Sequence, residues 1–140
     1  MESKLLNCPI TQLPFTMMQT FTLLGSALMF LGVAAGAFGA HGLSGYFAQY
    51  IDLRGIYETA VRYHLIHALA LFISAWLVDR WPGALTTWAG WLFVVGILLF
   101  SGTLYLLVLT RLRWLGAITP IGGVAFLAGW ACLFIAAWRN

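Results

Sequence analysis

At 140 residues, 62% of them hydrophobic and only 8% charged, the chain has room for a single domain and too little polar surface for a water-soluble fold. Its formal charge of +3 rests on seven basic residues, scattered singly or in pairs with no stripe that could follow a phosphate backbone, so no nucleic-acid partner is expected. The two cysteines, Cys8 and Cys132, are too far apart in sequence for a disulfide framework or a metal motif.

In chain order, residues 1–19, with Pro9 and Pro14, read as an N-terminal interfacial tail. After Lys4 no Asp, Glu, Lys or Arg occurs until Asp52, and further charge-free stretches run from Arg62 to Asp79, Arg80 to Arg111 and Arg113 to Arg139. Crossing the ~30 Å hydrocarbon core takes about 20 apolar residues, and inside lipid only a helix satisfies its own backbone. Each stretch therefore holds one span. The expected fold is all-α, an integral membrane four-helix transmembrane bundle over residues 20–138, with spans near 20–40, 57–78, 87–109 and 116–138. Ala35-Gly36-Ala37 could mimic a signal cleavage site, but the apolar run is too long and only Lys4 precedes it, so the first segment is read as a retained span.

Between the first two spans, residues 41–56 carry Gly42, Gly45 and Gly55 and an aromatic strip of Tyr46, Phe47 and Tyr50, which fits a short amphipathic turn on the membrane surface. Asp79-Arg80-Trp81-Pro82-Gly83 is a turn signature, because Pro82 blocks helix continuation. The fourth span has two open starts. Thr119-Pro120 is either a kink in a helix that begins near Trp114, or an N-cap followed by a first-turn proline. Trp76, Trp81, Trp88, Trp91, Trp114 and Trp138 fall near the span ends, as headgroup-level aromatic belts do.

Helix association in lipid relies on close packing, and at 100° per residue Gly25, Gly32, Gly36 and Gly39 occupy a wedge of about 60° on the first span. Gly122 and Gly129, with Ala125 and Ala136, do the same on the fourth. These are expected packing faces, either within one protomer or between copies. Lys4, Arg80 and Arg139 lie on one side of the membrane and Arg54, Arg62, Arg111 and Arg113 on the other, which sets no orientation.

The polar residues collect in one half of the bilayer. Counting 1.5 Å per residue places His64 and His67 roughly 10 to 15 Å inside, with Ser101, Thr103, Tyr105 and Thr119 at similar depth and His41 at the end of the first span. Glu58 and Arg62, spaced i and i+4, read as a helix-surface ion pair near the opposite face. The histidines invite a metal reading, but no carboxylate or thiol joins them at that depth, so neither a metal nor a cofactor is expected. A hydrolytic triad lacks a buried acid, because Asp52 and Glu58 lie at the surface.

Four ordered motifs carry a family resemblance. Gly36-Ala37-Phe38-Gly39-Ala40-His41-Gly42 closes the first span, Tyr63 and His67 precede Ala68-Leu69-Ala70 in the second, and Leu99-Phe100-Ser101-Gly102-Thr103-Leu104-Tyr105 lies in the third. Thr119-Pro120-Ile121-Gly122-Gly123, with Phe126 and Gly129-Trp130, opens the fourth. Over residues 20–138 the chain resembles the family called domain of unknown function 423, which takes in bacterial inner-membrane proteins of the YgdD type and the eukaryotic transmembrane protein 256. The resemblance implies a four-span protein of the bacterial inner membrane with no established function. His64 departs from the family pattern, which leaves His41 and His67 as the better pair.

The sequence thus suggests a non-enzymatic membrane protein that binds a lipid-like or quinone-like molecule, or docks on a membrane complex, through a one-sided polar pocket. His41, Tyr63, His67, Ser101, Tyr105 and Thr119 are expected to share it, opening toward the side of the first and third loops. Its partners would be membrane lipids and a second copy or a larger membrane complex. The alternative is a small oligomeric transporter or channel, against which stands the absence of a carboxylate inside any span.

Overall fold

The computed structural model describes residues 16–140, so most of the expected N-terminal tail, with Cys8, lies outside the described residues. Four helices are long and apolar enough to cross a membrane: α1 (Met17–Gly42), α3 (Ile51–Arg80), α4 (Ala84–Thr110) and α5 (Arg113–Arg139). The short helix α2 (Ser44–Gln49) lies between α1 and α3. No strand occurs among the described residues. The chain is a four-helix membrane bundle.

The helices are longer than the apolar runs because their ends use polar residues. At the start of α1 the Thr16 hydroxyl accepts from the Gln19 backbone N–H at 3.2 Å, while the Thr16 N–H donates to the Gln19 side chain at 3.1 Å. This reciprocal cap satisfies two donors that lipid could not. The expected surface turn after the first span is α2, and α3 begins at Ile51, so its first turns carry Asp52, Arg54 and Glu58. Arg80 ends α3 and Pro82-Gly83 makes the turn into α4. α5 opens with a tight 3-10 segment, Arg113–Ala117, and its α-helical part begins at Thr119 with Pro120 in the first turn. Proline costs least there, since its missing N–H has no helical partner to lose.

α1 packs along α3 and α4 along α5, while α3 and α4 join the two pairs. The glycine faces explain why. A Cβ on Gly32 would lie 2.8 Å from Leu65 of α3, one on Gly25 would lie 3.2 Å from Phe72, and one on Gly39 would strike the Tyr57 ring. On α5, a Cβ on Gly129 would lie 2.6 Å from Phe93, and one on Gly122 would run into the backbone of Leu99 and Phe100. Each glycine face thus receives large side chains or backbone from the antiparallel neighbour, and the two faces do not meet each other. Gly36 is the exception: a Cβ there would sit 3.4 Å from Val61, an ordinary contact. Two glycines of α4 also matter, for Gly90 takes the Phe21 ring and Gly96 the Phe126 ring.

Two stretches wind more loosely, as π-turns, at Phe38–Gly42 in α1 and Ile97–Gly102 in α4. A π-turn widens the helix by one residue and shifts the backbone. Side-chain hydroxyls bond to carbonyls at or beside both turns. Tyr57 donates to the Ala35 carbonyl at 2.8 Å and Thr103 to the Leu99 carbonyl at 2.6 Å.

Candidate functional site

His67 is the best-determined polar group in the interior. Its Nδ1 lies 2.8 Å from the Tyr63 carbonyl, one turn earlier in α3, and the Trp130 indole of α5 approaches its Nε2 at 3.2 Å. A carbonyl only accepts and an indole N–H only donates, so the imidazole is the neutral tautomer with its proton on Nδ1. Its ring lies flat on Phe126, centroids 3.4 Å apart at 9°. Both nitrogens are committed to protein partners, which ties α3 to α5.

Around this ring runs a groove of about 530 Å³ between α3, α4 and α5, lined by Tyr63, Ile66, His67, Phe100, Pro120, Gly123, Val124, Phe126, Leu127 and Trp130. The Tyr63 ring lies 4.5 Å from Phe100 and 39% of the residue is exposed, so its hydroxyl is the polar handle on an otherwise aromatic and aliphatic wall. Val124 and Leu127, 65% and 72% exposed, flank the opening. In a bundle that crosses a membrane, such a surface faces acyl chains.

The six residues expected to share one pocket are spread over separate places. Tyr63 and His67 line the groove. His41 is exposed in the last turn of α1. Ser101 is fully buried in the π-turn of α4, and its hydroxyl has no hydrogen-bond partner among the described residues. Tyr105 lies 3.3 Å from Nδ1 of His64 and packs on the Tyr57 ring. Thr119 pairs with Thr103 at 3.1 Å. Because the single Thr103 hydrogen goes to the Leu99 carbonyl, Thr119 is the donor, and its hydroxyl neither caps α5 nor faces a cavity. The polar half of the bundle is mostly a set of short hydrogen-bonded links.

His64 belongs to the interior more fully than its departure from the family pattern suggested. It is 6% exposed and faces α1, where its ring would lie 3.5 Å from a Cβ on Gly32. Its Nε2 is buried and has no hydrogen-bond partner among the described residues. His64 and His67 therefore point to different neighbours and form no common ligand pair. Among the described residues no three His, Cys, Asp or Glu side chains come together at metal-binding distance. A second correction concerns Glu58, which pairs with Arg54 at 2.9 Å and not with Arg62.

Phe126 and Trp130, spaced i and i+4 on α5, complete the groove opposite Tyr63 and His67, spaced the same way on α3. That spacing was a usable signal, since such pairs share a helix face. Which faces meet is a tertiary fact.

The geometry can be set beside known proteins. Residues 35–123 match the family described as Protein of unknown function (DUF423). The UPF0382 membrane protein YwdK of Bacillus subtilis is 48% identical over 122 residues, which are 86% of this chain and 97% of that protein. A UPF0382 membrane protein of Staphylococcus haemolyticus is 43% identical, covering 87% of this chain and 98% of its own length. One from Staphylococcus saprophyticus is 41% identical over 87% of this chain and 99% of itself. No solved structure matches the chain significantly.

Proposed function

We infer that this multi-pass membrane protein, which belongs to the DUF423 family as the match over residues 35–123 shows, is a non-enzymatic binder of an amphipathic molecule, a quinone or a lipid, in the bacterial inner (plasma) membrane. The groove between α3, α4 and α5 carries the reading: about 530 Å³, aromatic walls, one hydroxyl and a mouth at acyl-chain level. Ligand sites are commonly apolar clefts of this size with few polar groups to orient the occupant. Here the Tyr63 hydroxyl would receive the carbonyl or ester of the occupant, and Phe100, Phe126 and Trp130 its flat or aliphatic body. His67 serves as wall and brace, because its two nitrogens are already bonded.

A transporter or channel finds less support, since it needs a continuous polar path. Ser101 and Thr103 are 0% and 7% exposed, and Thr103 is spent on hydrogen bonds.

Native mass spectrometry of the full chain released from its own membrane tests the binding reading. A Cβ at Gly123 would meet nothing nearer than Phe100 at 3.8 Å, and Gly123 lines the groove, so Gly123→Trp is the variant chosen to fill it. The parent should retain about one quinone or lipid per chain and the variant should lose it. Nothing retained by the parent, or equal retention by both, contradicts the reading.

A further inference from the structure

On the other side of α3 lies a second recess that the groove does not explain. Small residues of α1 around Gly36, and Arg54, Glu58, Val61, Arg62 and Leu65 of α3, line about 370 Å³. It exists because α1 brings no side chain larger than a methyl group to it, and because Gly36 stops short of tight contact with Val61. Its inner wall is aliphatic and its outer part is charged, with two guanidiniums against one carboxylate.

The pairing leaves an excess cation. Arg54 spends Nε on Glu58 at 2.9 Å, which occupies one of its five N–H donors. Among the described residues Arg62 makes no ion pair, although it stands four residues from Glu58 and at the start of the second charge-free stretch. Arg62 lies about 12 Å deeper along α3 than Arg54, at 1.5 Å per residue. A guanidinium at that depth is costly unless it snorkels to an anion, and a phosphate suits its planar fork.

We propose that the recess between α1 and α3 binds one anionic phospholipid. Arg62 and the free donors of Arg54 hold its phosphate, and an acyl chain lies against Gly36, Val61 and Leu65. Basic recesses between membrane helices are suited to anionic headgroups. The occupant is a membrane lipid and not free phosphate, because the aliphatic wall supplies a place for a chain that an inorganic ion would leave empty.

The test uses the full chain, delipidated in mild detergent, with phosphatidylglycerol or phosphatidylcholine added at equal amounts and the bound lipid counted by native mass spectrometry. The parent should prefer phosphatidylglycerol, and the preference should fall roughly fivefold for each of Arg54→Gln and Arg62→Gln. Arg113→Gln serves as a control for general surface charge and should keep the preference, as should Gly123→Trp, which closes the other groove. Thermal unfolding with each lipid confirms that the variants are folded. Equal binding of the two lipids by the parent overturns the proposal. So does a preference that survives the double glutamine variant, or one that Arg113→Gln reduces as much as Arg62→Gln does.

Discussion

At the scale of single residues, the interior is governed by which atoms lack an alternative. His67 has two partners whose chemistry fixes its tautomer, and its ring fills the space above Phe126. His67→Ala should therefore cost about 2 to 4 kcal/mol, for the cavity as well as the lost bonds. Trp130→Phe, which keeps an aromatic ring but removes the indole donor and part of the ring, should cost less, about 1 to 2 kcal/mol; equilibrium unfolding of both variants in detergent checks the order. Glycines divide in the same way. A methyl on Gly122 meets backbone that cannot move aside, whereas a methyl on Gly36 has room beside Val61. Gly122→Ala should lower the unfolding temperature clearly and Gly36→Ala by a degree or so at most. Equal losses would mean that the glycine face of α5 does not pack on the π-turn of α4.

Elements show where sequence reading succeeds and where it stops. Four apolar runs were enough to count the long helices, because run length and lack of charge are all that a span requires. The two glycine faces were also legible, since helical periodicity alone puts Gly25, Gly32 and Gly39 together. The reciprocal cap of Thr16 and Gln19 was readable as a Thr-x-x-Gln signature, but the apolar run that follows hides where the helix starts. The π-turn at Ile97–Gly102 was not readable, because no residue type encodes one extra residue in a turn. It changes the meaning of two expected pocket members: Ser101 is buried inside the turn, and Thr119 bonds to Thr103 in a link between α4 and α5. Thr119→Val should cost roughly 0.6 kcal/mol, a usual value for one hydrogen bond between membrane helices. Thr103→Val should cost more, because it also strips the Leu99 carbonyl of its donor. Unfolding of both single variants and the double variant measures the difference, and a Thr119→Val loss larger than that of Thr103→Val would refute the assigned donor.

For the whole molecule, the bundle closes its hydrogen-bonded interior and offers recesses to the surrounding lipid. Trp88, Trp114 and Trp138, 62%, 62% and 82% exposed near helix ends, fit anchors at the two headgroup levels. Trp130, in mid-helix, is the one spent on the groove. A site reached sideways from the bilayer would suit an occupant that never leaves the membrane, which is the reason for proposing a quinone or lipid over a water-soluble cargo. Photo-crosslinking in reconstituted membranes tests this claim most directly. A quinone bearing a photoactivatable group, added at about one per chain and mapped by peptide mass spectrometry, should attach to the segments carrying Tyr63 and Ile66, Phe100, and Val124 and Leu127. Attachment spread evenly over the lipid-facing surface, to Phe30 and Leu31 of α1 as much as to the groove, would contradict it.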